Sequence, residues 1–233
     1  MFFHYFDPLY FIIVGPALLL SIIAQARVSS TFKRFSRVGA SAGLSGAEAA
    51  SRILQAHALP GVKIQRVGGF LADHYDPRSR VLRLSPGVYE GRSISSIGVA
   101  AHEAGHALQH AEGYVPLQIR SFLVPVTQIG SWLAWPLLLF GFLFSAFALV
   151  KLGIIFFAGA VLFQLVTLPV EFDASRRAVA ILGERGILTA PELSGTRKVL
   201  NAAALTYVAA AAAAVLQLIY FLLRAGFLGG GDE

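Results

Sequence analysis

The stretch LGIIFFAGAVLFQLVTLPV, residues 152–170, is followed directly by Glu171 and decides the fold of this chain. It carries no charged residue, and about 20 apolar residues are needed to cross the roughly 30 Å hydrocarbon core of a bilayer. Comparable apolar stretches run approximately over residues 8–26, 122–150 and 202–223. We therefore predict a mainly α-helical, polytopic membrane protein with about four transmembrane helices.

The overall composition supports a membrane protein. Hydrophobic residues make up 56% of the chain and charged residues only 14%, a balance that soluble domains seldom show. The first span has an aromatic, acidic leader that ends at Asp7, and no basic region precedes it, so we expect a retained anchor rather than a cleaved signal peptide. Cysteine is absent. Disulfides, thiol nucleophiles and cysteine-ligated zinc sites are therefore excluded.

Basic residues are segregated along the chain. Of the 19 lysines and arginines, all but Lys151 and Arg224 lie between the first and second spans or between the third and fourth. The positive-inside rule then predicts that residues of about 27–121 and 171–201 face the cytoplasm from a plasma (inner) membrane, with both termini outside. The net charge of +6 fits contact with anionic headgroups. The cations are dispersed and no nucleic-acid motif accompanies them, so we expect no nucleic-acid partner.

The motif His102-Glu103-Ala104-Gly105-His106 carries the chemistry. It lies in a predicted helix with Ser93 or Ser95 as N-cap. Histidines at i and i+4 lie on one helix face and can converge on one metal ion, and Glu103 can reach a water on that ion as general base. A solvated surface helix with two histidines is the alternative. It is disfavoured because no other charged residue lies between positions 92 and 112.

Catalytic zinc usually takes three protein ligands and one water. Because the chain has no cysteine, the third ligand is expected to be a carboxylate or another histidine. His110 continues the i+4 series, but each step climbs about 6 Å along a straight helix, so three such histidines cannot reach one ion. Asp73 and His74 precede the motif, and Asp173 follows the third span. Glu171 is favoured because an ionisable residue abutting a span is a functional-site hypothesis by default. Pairing of Glu171 with the arginines that follow it is the alternative.

Four segments also carry a family resemblance: residues 73–77 (DHYDP), 81–85 (VLRLS), 98–107 (GVAAHEAGHA) and 168–172 (LPVEF). Together they resemble the bacterial neutral zinc metallopeptidase family of membrane proteins, the YugP-like group, over essentially the whole chain. The arrangement is also similar to that of HtpX-type and CAAX prenyl endopeptidases. In those enzymes two spans separate the histidine motif from a Glu-x-x-x-Asp motif.

The resemblance implies one zinc ion per chain, bound by His102, His106 and Glu171, with Glu103 as the base. It also implies a single membrane-embedded metallopeptidase domain over residues 1–233. The chain departs from the distant relatives at Ser175, where they carry Asp. Either Ser175 or Asp173 could orient a ligand histidine instead.

The polar segments predict a small α+β, gluzincin-like zinc-protease part. A helix is expected over 46–58, and alternating polarity predicts strands over 62–67 and 80–84. The second strand could hold an extended substrate by edge pairing or serve only as scaffold. A helix over 171–182 is expected next, and Pro191 could open another that leads into the fourth span.

These features predict a membrane-embedded zinc endopeptidase that hydrolyses peptide bonds of protein or peptide substrates, including membrane proteins. The oxyanion needs a donor, for which His74, Tyr207 and Arg176 are candidates. One alternative is a non-proteolytic membrane scaffold or regulator with a closed zinc site, in which Asp73 or His110 would be the fourth ligand. Another is a small transporter. The spans hold no charged residue and only four glutamines, which does not indicate an ion path: Gln25, Gln128, Gln164 and Gln217.

Overall fold

The computed structural model describes residues 7–227 and is mainly helical. In chain order the elements are α1 (Pro8–Phe35), α2 (Gly46–Ala56), β1 (Lys63–Arg66), β2 (His74–Asp76), β3 (Val81–Leu84), α3 (Pro86–Tyr89), α4 (Ile94–Ala111), α5 (Val115–Leu143), α6 (Phe147–Glu184) and α7 (Ala190–Arg224). Four of these helices, α1, α5, α6 and α7, are long and apolar enough to cross a membrane. The predicted fold class is confirmed in these respects.

The chain divides into two compact units. One comprises residues 7–24, 119–168 and 206–227 and is built from the apolar parts of the four long helices. Its core contains Leu138, Ile154, Phe157 and Phe221. Large apolar side chains such as Trp132, which is 76% exposed, point outward. An exposed apolar belt of this kind fits contact with lipid rather than water.

Two helix boundaries differ from the sequence expectation. The turn between the second and third spans lies at residues 144–146, where Ser145 has a φ of 52°, and not beside Lys151. Lys151 lies in the first turns of α6 with its side chain exposed, so a single charge in an apolar run did not mark the turn. The helix expected over 171–182 is no separate element, because α6 continues without a break to Glu184. The expected helix at Pro191 is confirmed, because α7 begins at Ala190 and continues through the fourth span.

The second unit comprises residues 25–118 and 169–205. Its three-stranded sheet has the order β1-β3-β2, with β1 parallel and β2 antiparallel to β3. Helix α2 begins with a capping box between Ser45 and Glu48 and packs on α4. The core between them contains Ile53, Leu82 and Ile97. The prediction that the strand before the active-site helix, β3, could pair with a substrate through a free edge is wrong, because β3 is the central strand with β1 and β2 on its two sides. Both β2 and β3 pack on α4.

Candidate zinc site

Helix α4 presents the two motif histidines one turn apart. Its N-cap is Ser93, one of the two serines that the sequence predicts for this role. The Ser93 hydroxyl accepts a hydrogen bond from the Ser96 amide at 3.1 Å. The helix ends before Gly113, which adopts the left-handed conformation that a C-terminal stop requires. The rings of His102 and His106 lie with centroids 4.7 Å apart. The i, i+4 spacing therefore puts both imidazoles on one face, as the sequence predicts.

The segment of α6 after Pro169 packs directly against this face of α4. At Gly105 a Cβ atom would lie 2.9 Å from the main-chain oxygen of Ala174, so only glycine permits the observed approach. The contact brings Glu171 to the histidines. Its Oε2 lies 3.2 Å from Nε2 of His102 and 3.6 Å from Nε2 of His106. Three potential ligand atoms thus converge from two helices, although Glu171 lies 69 positions after His102 in sequence.

The spacing of these atoms fits a zinc ion. Zn–N and Zn–O bonds of about 2.1 Å at tetrahedral angles place neighbouring ligand atoms roughly 3.4 Å apart. The two distances to Glu171 bracket that value, and all three ligand atoms lie within 4.8 Å of one another. Two imidazoles and one carboxylate are also a donor set that catalytic zinc accepts. The residues therefore fit the metal.

The other nitrogen of each histidine ring has its own hydrogen-bond partner. Nδ1 of His102 lies 3.0 Å from the hydroxyl of Ser175, and Nδ1 of His106 lies 2.9 Å from Oε1 of Gln109. When Nδ1–H donates to these oxygens, the lone pair of Nε2 is directed towards Glu171 and the metal position. Ser175 thus occupies the orienting position that the sequence left open between it and Asp173.

Gln109 is the residue that sequence reasoning missed. It is fully buried, and its amide nitrogen donates to the main-chain oxygen of Val170 at 2.8 Å and to Oδ2 of Asp173 at 2.9 Å. Because the NH₂ group is used in this way, the amide oxygen must face His106. The sequence did contain a signal for Gln109, because it is an uncharged amide among the apolar residues of α4. A buried amide requires hydrogen-bond partners, so its position indicates a polar contact.

Asp173 is held in turn by basic residues. Nε of Arg177 donates to Oδ2 of Asp173 at 2.6 Å, and Arg176 donates to the other carboxylate oxygen. Arg177 also pairs with Glu112 at 2.6 Å. A hydrogen-bonded series therefore leads from the arginines through Asp173 and Gln109 to His106, and Asp173 acts on the site without joining the ligand cluster.

Glu103 lies beside the cluster. It is 8% exposed, and its negative charge raises the pKa of His106. Burial alone would lower the pKa of His106, but the hydrogen bond and charge of Glu171 outweigh burial and raise it in the metal-free protein. A histidine must be neutral to bind a metal, so zinc affinity falls in acid.

The remaining candidate residues lie apart from the ligand cluster or in the other unit. Asp73 accepts hydrogen bonds from the amide and hydroxyl of Ser85, and Nδ1 of His110 lies 2.9 Å from the hydroxyl of Tyr75. His74 is exposed on β2, with Nδ1 2.9 Å from the oxygen of Ala72. Tyr207 lies half-buried on α7 in the apolar unit. Neither Asp73 nor His110 is therefore placed to be a ligand.

Comparison with known proteins agrees with this site. Residues 10–226 match the family described as "Putative neutral zinc metallopeptidase". The chain is 51% identical over 217 residues to a protein of Bacillus subtilis (strain 168) named "Putative membrane protease YugP", an alignment that covers 93% of this chain and 96% of that protein. No solved structure matches the chain. The extent of these matches shows that the chain belongs to the neutral zinc metallopeptidase family.

Proposed function

We propose that this protein is a membrane-embedded zinc endopeptidase of the His-Glu-x-x-His type. The observation that carries the proposal is the convergence of His102, His106 and Glu171 at distances that suit one zinc ion, with Glu103 adjacent. Family membership supports a zinc peptidase, and the four long apolar helices support a membrane location. We further propose one metallopeptidase domain with one zinc ion per chain.

Each side chain has a defined task in this mechanism. When bound, zinc supplies the positive charge that acidifies a water and polarises the scissile carbonyl. His102 and His106 would hold the ion through Nε2, and Ser175 and Gln109 fix the orientation of their rings. The Glu103 carboxylate accepts a proton from the attacking water and delivers it to the leaving amine. The oxyanion also needs a hydrogen-bond donor, and His74, Tyr207 and Arg176 are the candidates that the sequence offers for this role.

The non-proteolytic scaffold is the competing function, and the ligand number argues against it. Structural zinc sites are closed by four protein ligands, whereas catalytic sites keep one position open. Among the residues that the structure describes, the cluster contains only two histidines and one glutamate. Asp73 and His110, the candidates for a fourth ligand, are bonded to Ser85 and Tyr75 instead.

We also propose that the site faces the cytoplasm. The basic residues of both polar segments support this orientation through the positive-inside rule. A zinc site in these segments would be open to cytosolic proteins and to the cytoplasmic tails of membrane proteins. Such chains are the proposed substrates.

Replacement of the base tests the proposal. Glu103→Gln should retain zinc and fold but lose about 10²–10⁴-fold in peptide hydrolysis, because only the proton acceptor is removed. Zinc-loaded full-length protein in detergent is incubated with a proteome-derived peptide library, and cleavage is measured by mass spectrometry. Glu184→Gln, at the exposed end of α6, is the matched control and should cleave normally. Equal cleavage by Glu103→Gln and the wild type, or no cleavage by either, would refute the endopeptidase.

A further inference from the structure

A cleft of about 360 Å³ lies between α6 and α7. It is lined by the part of α6 that follows the third apolar stretch and by the part of α7 at the start of the fourth. One wall is α6 from Phe172 to Ala180, and the other is α7 from Arg197 to Ala204. The lining combines two guanidinium groups and an amide with apolar side chains, namely Arg176, Arg197, Asn201, Phe172, Val179 and Leu200. Such a mixture suits a ligand that has both a charged and an apolar part.

The uncompensated charge in the cleft belongs to Arg197. Asp173 and Glu112 together balance Arg176 and Arg177, with which they form ion pairs. Arg197 is exposed and, within residues 7–227, has no carboxylate partner. The Arg176 side chain is 77% exposed despite its ion pair, so its guanidinium retains N–H groups for a second acceptor. The cleft therefore favours an anion with several oxygen atoms.

The position of the cleft along the helices indicates the source of that anion. Phe172, which is 49% exposed, comes two residues after the apolar stretch that ends at Val170, and the last apolar stretch begins at Ala202. Residues at such transitions lie at the headgroup level when the helices cross a bilayer. Basic pockets between transmembrane helices bind the headgroups of anionic lipids.

We propose that this cleft binds an anionic phospholipid. Arg197 and Arg176 contact the phosphate oxygens, Asn201 donates a further hydrogen bond, and an acyl chain lies along exposed Phe172. The site is separate from the zinc ligands and does not depend on the proposed peptidase activity, so either can fail without the other. Ser175 lines the cleft and also contacts His102, so the two sites are adjacent at this residue.

Lipid titration of the full-length protein in detergent tests this site. Native mass spectrometry compares dioleoylphosphatidylglycerol with dioleoylphosphatidylcholine. Wild-type protein should bind the anionic lipid more tightly, and Arg197→Gln should weaken that binding about fivefold, the expected effect of one basic side chain at a membrane surface. Arg197→Lys should retain most of it. Arg185→Gln, an equal charge change at an exposed position outside the cleft, is the matched control and should bind as the wild type does.

Three results would overturn the proposal. Equal affinity for the two lipids would show that the cleft does not select charge. Native affinity in Arg197→Gln, or an equal loss in Arg185→Gln, would show that the cleft is not the site. Displacement of the lipid by glycerol 3-phosphate at the same concentration as phosphatidylglycerol would show that it binds a soluble phosphate and not a membrane lipid.

Discussion

Replacement of Gln109 by methionine should weaken zinc binding without removing a ligand. Methionine has a similar volume but lacks the acceptor that faces Nδ1 of His106 at 2.9 Å. The orphaned N–H is buried, which costs about 1–3 kcal/mol of folding free energy. Asp173 keeps its two arginine partners, so its own loss is smaller. Removal of the outer partner of a ligand histidine lowers metal affinity about 10–100-fold, and we expect a loss in that range.

The assay separates ligand orientation from folding. Zinc affinity is measured by competition with a chromophoric chelator, and stability by thermal unfolding of metal-free protein. Gln109→Glu is the matched variant, because it keeps an acceptor for His106 but puts a carboxylate beside Asp173. It should retain most of the affinity and yet unfold at lower temperature, since like charges repel. Native zinc affinity in folded Gln109→Met would refute the orienting role.

Two further predictions concern the ligand set and the topology. Glu171→Ala, like His102→Ala or His106→Ala, should lose the single zinc ion and its thermal stabilisation, because the ion joins α4 to α6 and its binding energy adds to folding energy. Zinc content after dialysis is the measurement, and full retention would remove the substituted residue from the ligand set. Reporter fusions after Ser36 and after Leu188 should both report the cytoplasm, since basic residues follow the first and third spans. Opposite reports would place the two halves of the site on different sides of the membrane.

The cluster of His102, His106 and Glu171 could be predicted because each member left a physical signal in the sequence. Two histidines at helical spacing share a face, and Glu171 ends an uncharged apolar stretch where an unpaired carboxylate would be unfavourable. The even number of spans between them returns the chain to one side. The structure brings these three side chains together.

Other features left no comparable signal. The apolar stretch ends at Val170, but the helix does not, because composition marks where lipid contact stops and not where hydrogen bonding along a helix stops. Pro169 inside α6 also favours a break that is absent. The partners of Gln109 lie 61 and 64 residues away, and an isolated amide does not indicate which distant oxygens it meets.

The variable positions of the His-Glu-x-x-His motif are constrained by packing as well as by chemistry. Gly105 lies where α4 and α6 approach closely, with Ala174 directly opposite. An added methyl group there would meet main-chain oxygen, which cannot rotate away as a flexible side chain could. The shift would move α6 just three residues from Glu171, and so would lengthen the distances from Oε2 to both histidines. The absence of a side chain at Gly105 therefore lets α6 bring Glu171 close to the two histidines that α4 carries.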